Sequence, residues 1–392
     1  MPSRRGLIAG GAGAAVLAAL GYRIVDRGVF SGATGPAYQP WAEWRGIPTD
    51  GPRQPLRAAI LAANPHDTQP WIFEVHPGTI TVYADRSRNL GTFDPYRREM
   101  HLGIGAAVEN LVRAAGVLGY TTYVRAVDGH LALSPNKEAV PAVHITLDPG
   151  AAASDPLYQA IPNRHTNRGP YTSKPIASET LVRFADAIAS PFVRPAFIVG
   201  DASRKTMGDL MVRATEAIIA DPEMSADSAR WFRTGSREVT EHRDGITMDG
   251  AGLSSFMVAA TKLLPDQSAS TADGYWLSMT RDTQVASAPV FGMLLVKNRL
   301  DMASAIAAGR AWQHLHLLAT AEGIAAQPIN QPVEMVDRNA MLKRKDEFGP
   351  ALAQLANAPG WEATFTFRMG YAERPSVPSP RRPLEDVMLA RV

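Results

Sequence analysis

The sequence predicts an α+β fold in which one helix-and-strand unit is duplicated within a single chain and the second copy carries an insertion. Three observations lead there. The run Gly105-Ala-Ala-Val-Glu-Asn-Leu-Val-Arg-Ala-Ala-Gly-Val-Leu-Gly119 aligns without gaps on Gly309-Arg-Ala-Trp-Gln-His-Leu-His-Leu-Leu-Ala-Thr-Ala-Glu-Gly323, so that Gly105 meets Gly309, Leu111 meets Leu315 and Gly119 meets Gly323. The length, 392 residues, exceeds what one hydrophobic core usually serves. Residues 221–288 separate a predicted helix at 202–220 from a predicted strand at 290–296 and are too many for a connector in a compact unit. The resulting division is a leader at 1–21, a linker at 22–53, a first unit at 54–150, and a second unit at 151–392 with its insertion at 221–288.

In chain order, Arg4 and Arg5 precede an uncharged, Gly- and Ala-rich run over 6–21, the arrangement of a twin-arginine export signal. It implies the twin-arginine machinery as a partner and a periplasmic or other extracytoplasmic location, with membrane tethering if the signal stays uncleaved. Residues 22–53, with Gly32, Gly35, Pro36, Pro40, Pro48, Gly51 and Pro52, lack periodicity and read as a linker, so order is expected to begin near Leu56. A helix over 56–63 then passes through Asn64-Pro65-His66-Asp67-Thr68-Gln69-Pro70-Trp71 into strands at 71–75 and 79–84, the second alternating Ile80, Val82 and Ala84 with polar residues. A helix over 101–118, stopped by Gly119, and strands at 121–126 and 143–147 complete the first unit. In the second, 187–199 can be laid on 62–73, but the polar side chains of the first loop are missing from Ser190 to Pro195.

Lys plus Arg number 40 against 38 Asp plus Glu, with no basic block outside the termini, which argues against a nucleic-acid partner. The absence of cysteine excludes disulfides and thiolate chemistry. No His pair or carboxylate cluster has metal-ligand spacing, so no metal is expected.

Three stretches carry chemistry. Between Pro65 and Pro70, which stiffen the path, Asn64, His66, Asp67, Thr68 and Gln69 offer polar groups able to grip a flat polar ligand, or simply to brace a turn. Asn163-Arg164-His165-Thr166-Asn167-Arg168 concentrates cations ahead of Lys174-Pro175-Ile176 and a helix at 179–189, as a phosphate site would need. Ser379-Pro380-Arg381-Arg382-Pro383-Leu384-Glu385 repeats the cationic theme, although alone it would read as a solvated tail.

Over residues 54–390 these motifs resemble the FMN-dependent nitroreductase family, and within it the Acg-type branch, in which one chain imitates the usual homodimer. The Asn-x-Gln-Pro-Trp-like loop, the Arg-rich run before Lys-Pro-Ile, the Ala326-Gln327-Pro328-Ile329-Asn330 loop and the Arg-x-Pro-Leu-Glu-like tail carry the likeness. Asp67 stands where the family usually has Asn, and Asn330 and Gln331 where it often has Glu and Gly. The resemblance implies one FMN per chain, held by Asn64, Asp67 and Gln69 of the first unit and by Arg164, His165, Arg168, Pro328, Ile329, Asn330, Arg381 and Arg382 of the second. It implies hydride transfer through flavin N5 to a small organic electron acceptor, with NAD(P)H a candidate donor and the donor itself left open, Arg168 as the cation beside the reduced ring, no assigned catalytic residue, and a monomeric pseudo-dimer. A flavin-sequestering protein without turnover and a binding protein for another phosphorylated ligand stand as alternatives. The aromatics of 221–288, Trp231, Phe232, Phe256, Tyr275 and Trp276, are expected either to form a small helical subdomain packed on the nearest surface or to form a lid over the flavin.

Overall fold

A computed structural model describes residues 21–265 and 267–389. The twin-arginine run lies outside them. The first unit contains α1 (Gln54–Ala59), β1 (Trp71–His76), β2 (Thr79–Ala84), α2 (Arg98–Val117), β3 (Tyr120–Ala126) and β4 (Val140–Pro149). Its strands form an antiparallel sheet in the order β1-β2-β4-β3. Ile80, Val82 and Ala84 alternate into the core as their period of two requires, and Gly78, at φ 73°, closes the β1–β2 hairpin.

The second unit continues with α3 (Ser178–Ile188), β5 (Arg194–Ile198) and α4 (Asp201–Ile219). The insertion follows with α5 (Pro222–Ala229), α6 (Ser236–His242), α7 (Ser255–Leu263) and α8 (Ala269–Ser278). The unit then resumes with β6 (Val290–Val296), α9 (Met302–Ala321), β7 (Ala325–Pro328), α10 (Gln331–Met341), α11 (Phe348–Ala356) and β8 (Glu362–Gly370). Its sheet, also antiparallel, runs β5-β6-β8-β7, and β6 is buried along its whole length.

The two aligned glycines mark the crossing of α2 and α9, each 20 residues long. A Cβ on Gly105 would collide with the carbonyl oxygen of Ile306, and one on Gly309 with that of Leu102. Each helix thus offers its bare backbone to the other at the same register, as a two-fold interface between like units requires. The α+β, duplicated architecture expected from the sequence is therefore present, with one four-stranded sheet on either side of residue 150.

Three expectations need correction. Residues 22–53 are not a linker: short helical turns at Pro36–Tyr38 and Gln39–Ala42 bury Tyr38, Trp41 and Trp44 in the core of the first unit. Three large aromatics supply the burial that a Gly- and Pro-rich composition conceals. The first helix stops at Ala59 because the following amides tighten onto Ala58 and Ala59 and Ala63 N–H donates to Gln313 Oε1 at 3.1 Å. The helix expected at 101–118 starts at Arg98, where the Asp94 carboxylate accepts from the amides of Glu99 and Met100 at 3.1 and 3.0 Å.

The last segment returns to the first unit. Met388 bridges Phe73 in parallel, and Leu389 N–H donates to Phe73 O at 2.8 Å, which places Ser379 to Arg382 beside the 64–69 loop.

Candidate functional site

The 64–69 loop is braced from within. Asn64 Oδ1 accepts from Gln69 N–H at 2.7 Å, while its Nδ2 donates to Ala62 O and Asp67 Oδ1, both at 3.2 Å. His66, Asp67 and Gln69 hold φ of 48°, 53° and 49°, three non-glycine residues in the left-handed region within four positions. Such conformations cost about 1–3 kcal/mol each and persist where surrounding structure imposes them, commonly at functional sites. Asp67, Thr68 and Gln69 are buried although polar.

Cations from two remote segments converge on this loop. Arg381, buried, pairs with Asp67 and donates to Ser379 Oγ at 2.6 Å, Pro380 O at 2.7 Å and Ala62 O at 3.1 Å. Its guanidinium lies 5.0 Å from the Trp41 ring. Arg164, also buried, donates to Leu61 O at 3.1 Å and lies 3.3 Å from His316 Nδ1. His165 stacks edge-on against Trp41 at 4.6 Å. Arg168, partly buried, donates to Gly250 O of the insertion at 3.1 Å.

This cluster carries more positive charge than it neutralises. Around the single Asp67 carboxylate stand Arg164, Arg168 and Arg381, and the next carboxylate, Asp244, already pairs with Arg88 and Arg233. Burial and the Arg381 charge pull Arg164 down to about 9, and burial likewise lowers Arg168 and Arg381. Burial raises Asp67 to about 6, outweighing the attraction of Arg381. Burial with Arg168 lowers His66 to about 4, and burial with Arg164 lowers His165 to about 3, so both rings are neutral near pH 7. Arg164 Nε, Arg381 Nε, His165 Nδ1, Thr68 Oγ1 and Trp71 Nε1 are buried without a hydrogen-bond partner. Uncompensated buried charge and orphaned donors are costly, which marks the cluster as built for an anion.

The structure brings together Asn64, Asp67, Gln69, Arg164, His165, Arg168 and Arg381. Arg382 is arranged differently: its backbone N–H donates to Gln69 Oε1 at 2.8 Å, but its guanidinium turns to Asp386 O at 2.5 Å. The 164–168 run precedes α3, which begins at Ser178 close to the expected 179, and Asn167 N–H joins Ala326 O at 3.2 Å. Pro328 and Ile329 lie at the end of β7, with Ile329 in the core. The Asn330 side chain accepts from Thr366 N–H at 2.9 Å and donates to Glu99, away from the arginines.

Asn330 thereby touches a buried acidic group that the sequence reading missed. Asp94, Glu99 and Glu334 gather at the start of α2 with Arg98, which pairs with Asp337 at 2.7 Å. Burial, then repulsion from Glu99, raises Asp94 to about 7, and burial with Glu99 raises Glu334 well above the ordinary carboxylate range. The available signal was a polar Arg98-Glu99 turn opening an apolar helix, together with Glu334 and Asp337 at i,i+3 on α10.

The insertion covers the loop. Gln69 Nε2 donates to Arg243 O at 2.9 Å, Gly245 N–H to Asp67 O at 3.2 Å, and His66 Nε2 lies 2.9 Å from Ser228 Oγ. A shallow opening beside the cluster is lined by Tyr38, Arg233, Thr247, Asp249 and Lys262. Its charges are internally paired, Lys262 with Asp249 and Arg233 with Asp244, so the anion-seeking groups lie with the buried arginines rather than in the opening.

No family model matches the chain. Two proteins from Mycobacterium tuberculosis strains, provisionally named NAD(P)H nitroreductase, are each 26% identical over 350 residues, 86% of this chain and 90% of theirs. Among solved structures, an FMN-dependent nitroreductase from Mycobacterium smegmatis in complex with NADPH is 19% identical, covering 60% of this chain and 98% of its own, with TM-score 0.37. A nitroreductase with bound FMN from Desulfitobacterium hafniense is 16% identical, covering 61% and 100%, with TM-score 0.35. Along most of the described chain, the sequence likeness is to the nitroreductase family.

Proposed function

We propose that this chain is an FMN-dependent oxidoreductase of nitroreductase type, a single-chain pseudo-dimer with one working site. The excess of buried guanidinium over carboxylate around the 64–69 loop carries this reading, because it calls for a ligand with a phosphate-like charge. The orphaned Nε atoms of Arg164 and Arg381 fit that charge. Arg164 and Arg381 would hold the phosphate, Asn64, Asp67 and Gln69 would orient the polar edge of the flavin, and Arg168 would stand as the cation near it. When bound, FMN supplies hydride transfer between a reductant such as NAD(P)H and a small organic acceptor. The chain contributes orientation, positive potential and the exclusion of water by the insertion. The names of the mycobacterial relatives support the same assignment. Export by the twin-arginine route, suggested by Arg4-Arg5 and the uncharged run after them, would carry the folded, loaded protein out of the cytoplasm.

Riboflavin and FMN separate the hypotheses, since they differ only in the phosphate. We expect FMN to be retained and riboflavin to bind at least tenfold more weakly; equal binding would overturn the phosphate assignment. A second reading, flavin sequestration without turnover, is favoured by the hydrogen bonds that seat 228–250 on the loop. Anaerobic addition of NADPH decides between them: bleaching of the bound flavin supports the reductase, and an unchanged spectrum supports sequestration.

A further inference from the structure

One helix of the insertion is arranged with an apolar side outward. In α7, Val258 and the stem of Lys262 turn inward, the Lys262 ammonium reaching Asp249 at 2.8 Å and Gly28 O at 3.0 Å. The opposite side exposes Phe256 and Met257, and one heptad later Leu263, with Leu264 just past the helix end. Phe256 is 80% exposed. A surface helix ordinarily reverses this, with its apolar stripe on the core.

The strip continues onto a second segment. Residues 21–26 are helical and lie against the insertion: Arg23 reaches Leu264 O, and Ser236 Oγ donates to Asp26 O at 2.9 Å. Tyr22, Val25 and Phe30 are exposed there, Val25 at 76% and Phe30 at 83%. Large apolar side chains exposed on two touching segments mark an interaction face. What occupies it is indicated by the chain that arrives at it. Residues 6–22 contain no charged side chain and consist almost wholly of Gly, Ala, Leu, Ile and Val, so the strip begins where an uncharged apolar run of 17 residues ends.

We propose that Tyr22, Val25 and Phe30 with Phe256, Met257, Leu263 and Leu264 form a docking face for a lipid bilayer. An interfacial helix buries its apolar side at the headgroup boundary and keeps its polar contacts with the protein, as α7 is built to do. The face is shared by the insertion and the 22–30 segment packed on it, and it does not depend on the ligand assigned to the 64–69 loop.

The absence of native cysteine allows a clean test on the full chain. Phe256→Cys and, on α3 at the exposed Val182, Val182→Cys would each carry an environment-sensitive fluorophore. Both would be titrated with vesicles of phosphatidylcholine and phosphatidylglycerol. The face predicts blue-shifted emission at 256 only, quenched by spin-labelled acyl chains. It also predicts that Leu263→Ser with Leu264→Ser, both at exposed positions, weakens vesicle partitioning on the order of 10-fold per side chain. Vesicle binding with residue 256 left in water would assign attachment to residues 6–22 alone and overturn the proposal. So would equal responses at both positions, no binding at all, or a shift at 256 that follows protein concentration without vesicles, which would mean a second copy covers the strip.

Discussion

The loops at 64–69 and 190–193 occupy matching places, each between a helix and an edge strand of its sheet, yet they have opposite characters. The first turns its polar groups inward and holds three non-glycine residues at positive φ. The second is a surface turn in which Ser190 and Val193 exchange backbone hydrogen bonds of 2.9 and 3.3 Å and Phe192 is exposed. Both follow from one duplicated plan, so the helix-and-strand frame does not create a site by itself. The first loop becomes one because Arg164, Arg381 and the insertion reach it, and the strain in its backbone is held by those contacts.

The largest test of this contrast is stoichiometry. Extraction and absorbance should give one FMN per chain, and a ratio near two would mean that the second loop also binds.

A smaller but energetically definite test uses pH. Because Asp67 is raised from 3.8 to about 6 in the folded chain, the folded state keeps a proton that the unfolded state releases between those values. The Asp67 contribution to the stability of the ligand-free protein is therefore full below pH 3.8 and is lost as pH rises to about 6, by up to about 3 kcal/mol. Denaturant titrations across pH 4–7 should show this component in the parent and not in Asp67→Asn, whose amide also tolerates the φ of 53°. Identical pH profiles would mean that Asp67 does not titrate there.

Next in size, Arg164→Ala should weaken FMN binding by about 10- to 150-fold, the loss of one charge-assisted hydrogen bond of roughly 1.5–3 kcal/mol. Arg194→Ala, beside the second loop, should change it less than about twofold. Equal effects from the two substitutions would erase the distinction between the loops.

The smallest contrast concerns internal bracing. Asn64→Ala removes the acceptor for Gln69 N–H and should destabilise the fold by about 1–2 kcal/mol. Ser190→Ala loses only long bonds of 3.1 and 3.3 Å at an exposed turn and should stay within about 0.5 kcal/mol. Thermal unfolding of the two variants measures the difference.

Much of this could be read before any coordinates existed, because it is local. The alternation in 79–84 and the glycine-marked helices of both units depend on neighbours two to four residues away, and the structure has them. The polar, proline-stiffened loop was visible for the same reason, as were the cationic runs at 164–168 and 381–382. Their mutual arrangement was not. That Arg381 rather than Arg382 meets Asp67 depends on a tail returning across 314 positions to the edge of the first sheet. That Asn330 faces Glu99 depends on packing between α2 and the start of α10, 231 positions apart. The segment at 22–53 is held by Trp41, whose indole donates to Ser379 O at 2.8 Å, a partner no neighbouring residue announces. Periodicity and turn chemistry record what a residue does within its own element, whereas charge compensation and burial are settled only when distant segments exclude water from the same place.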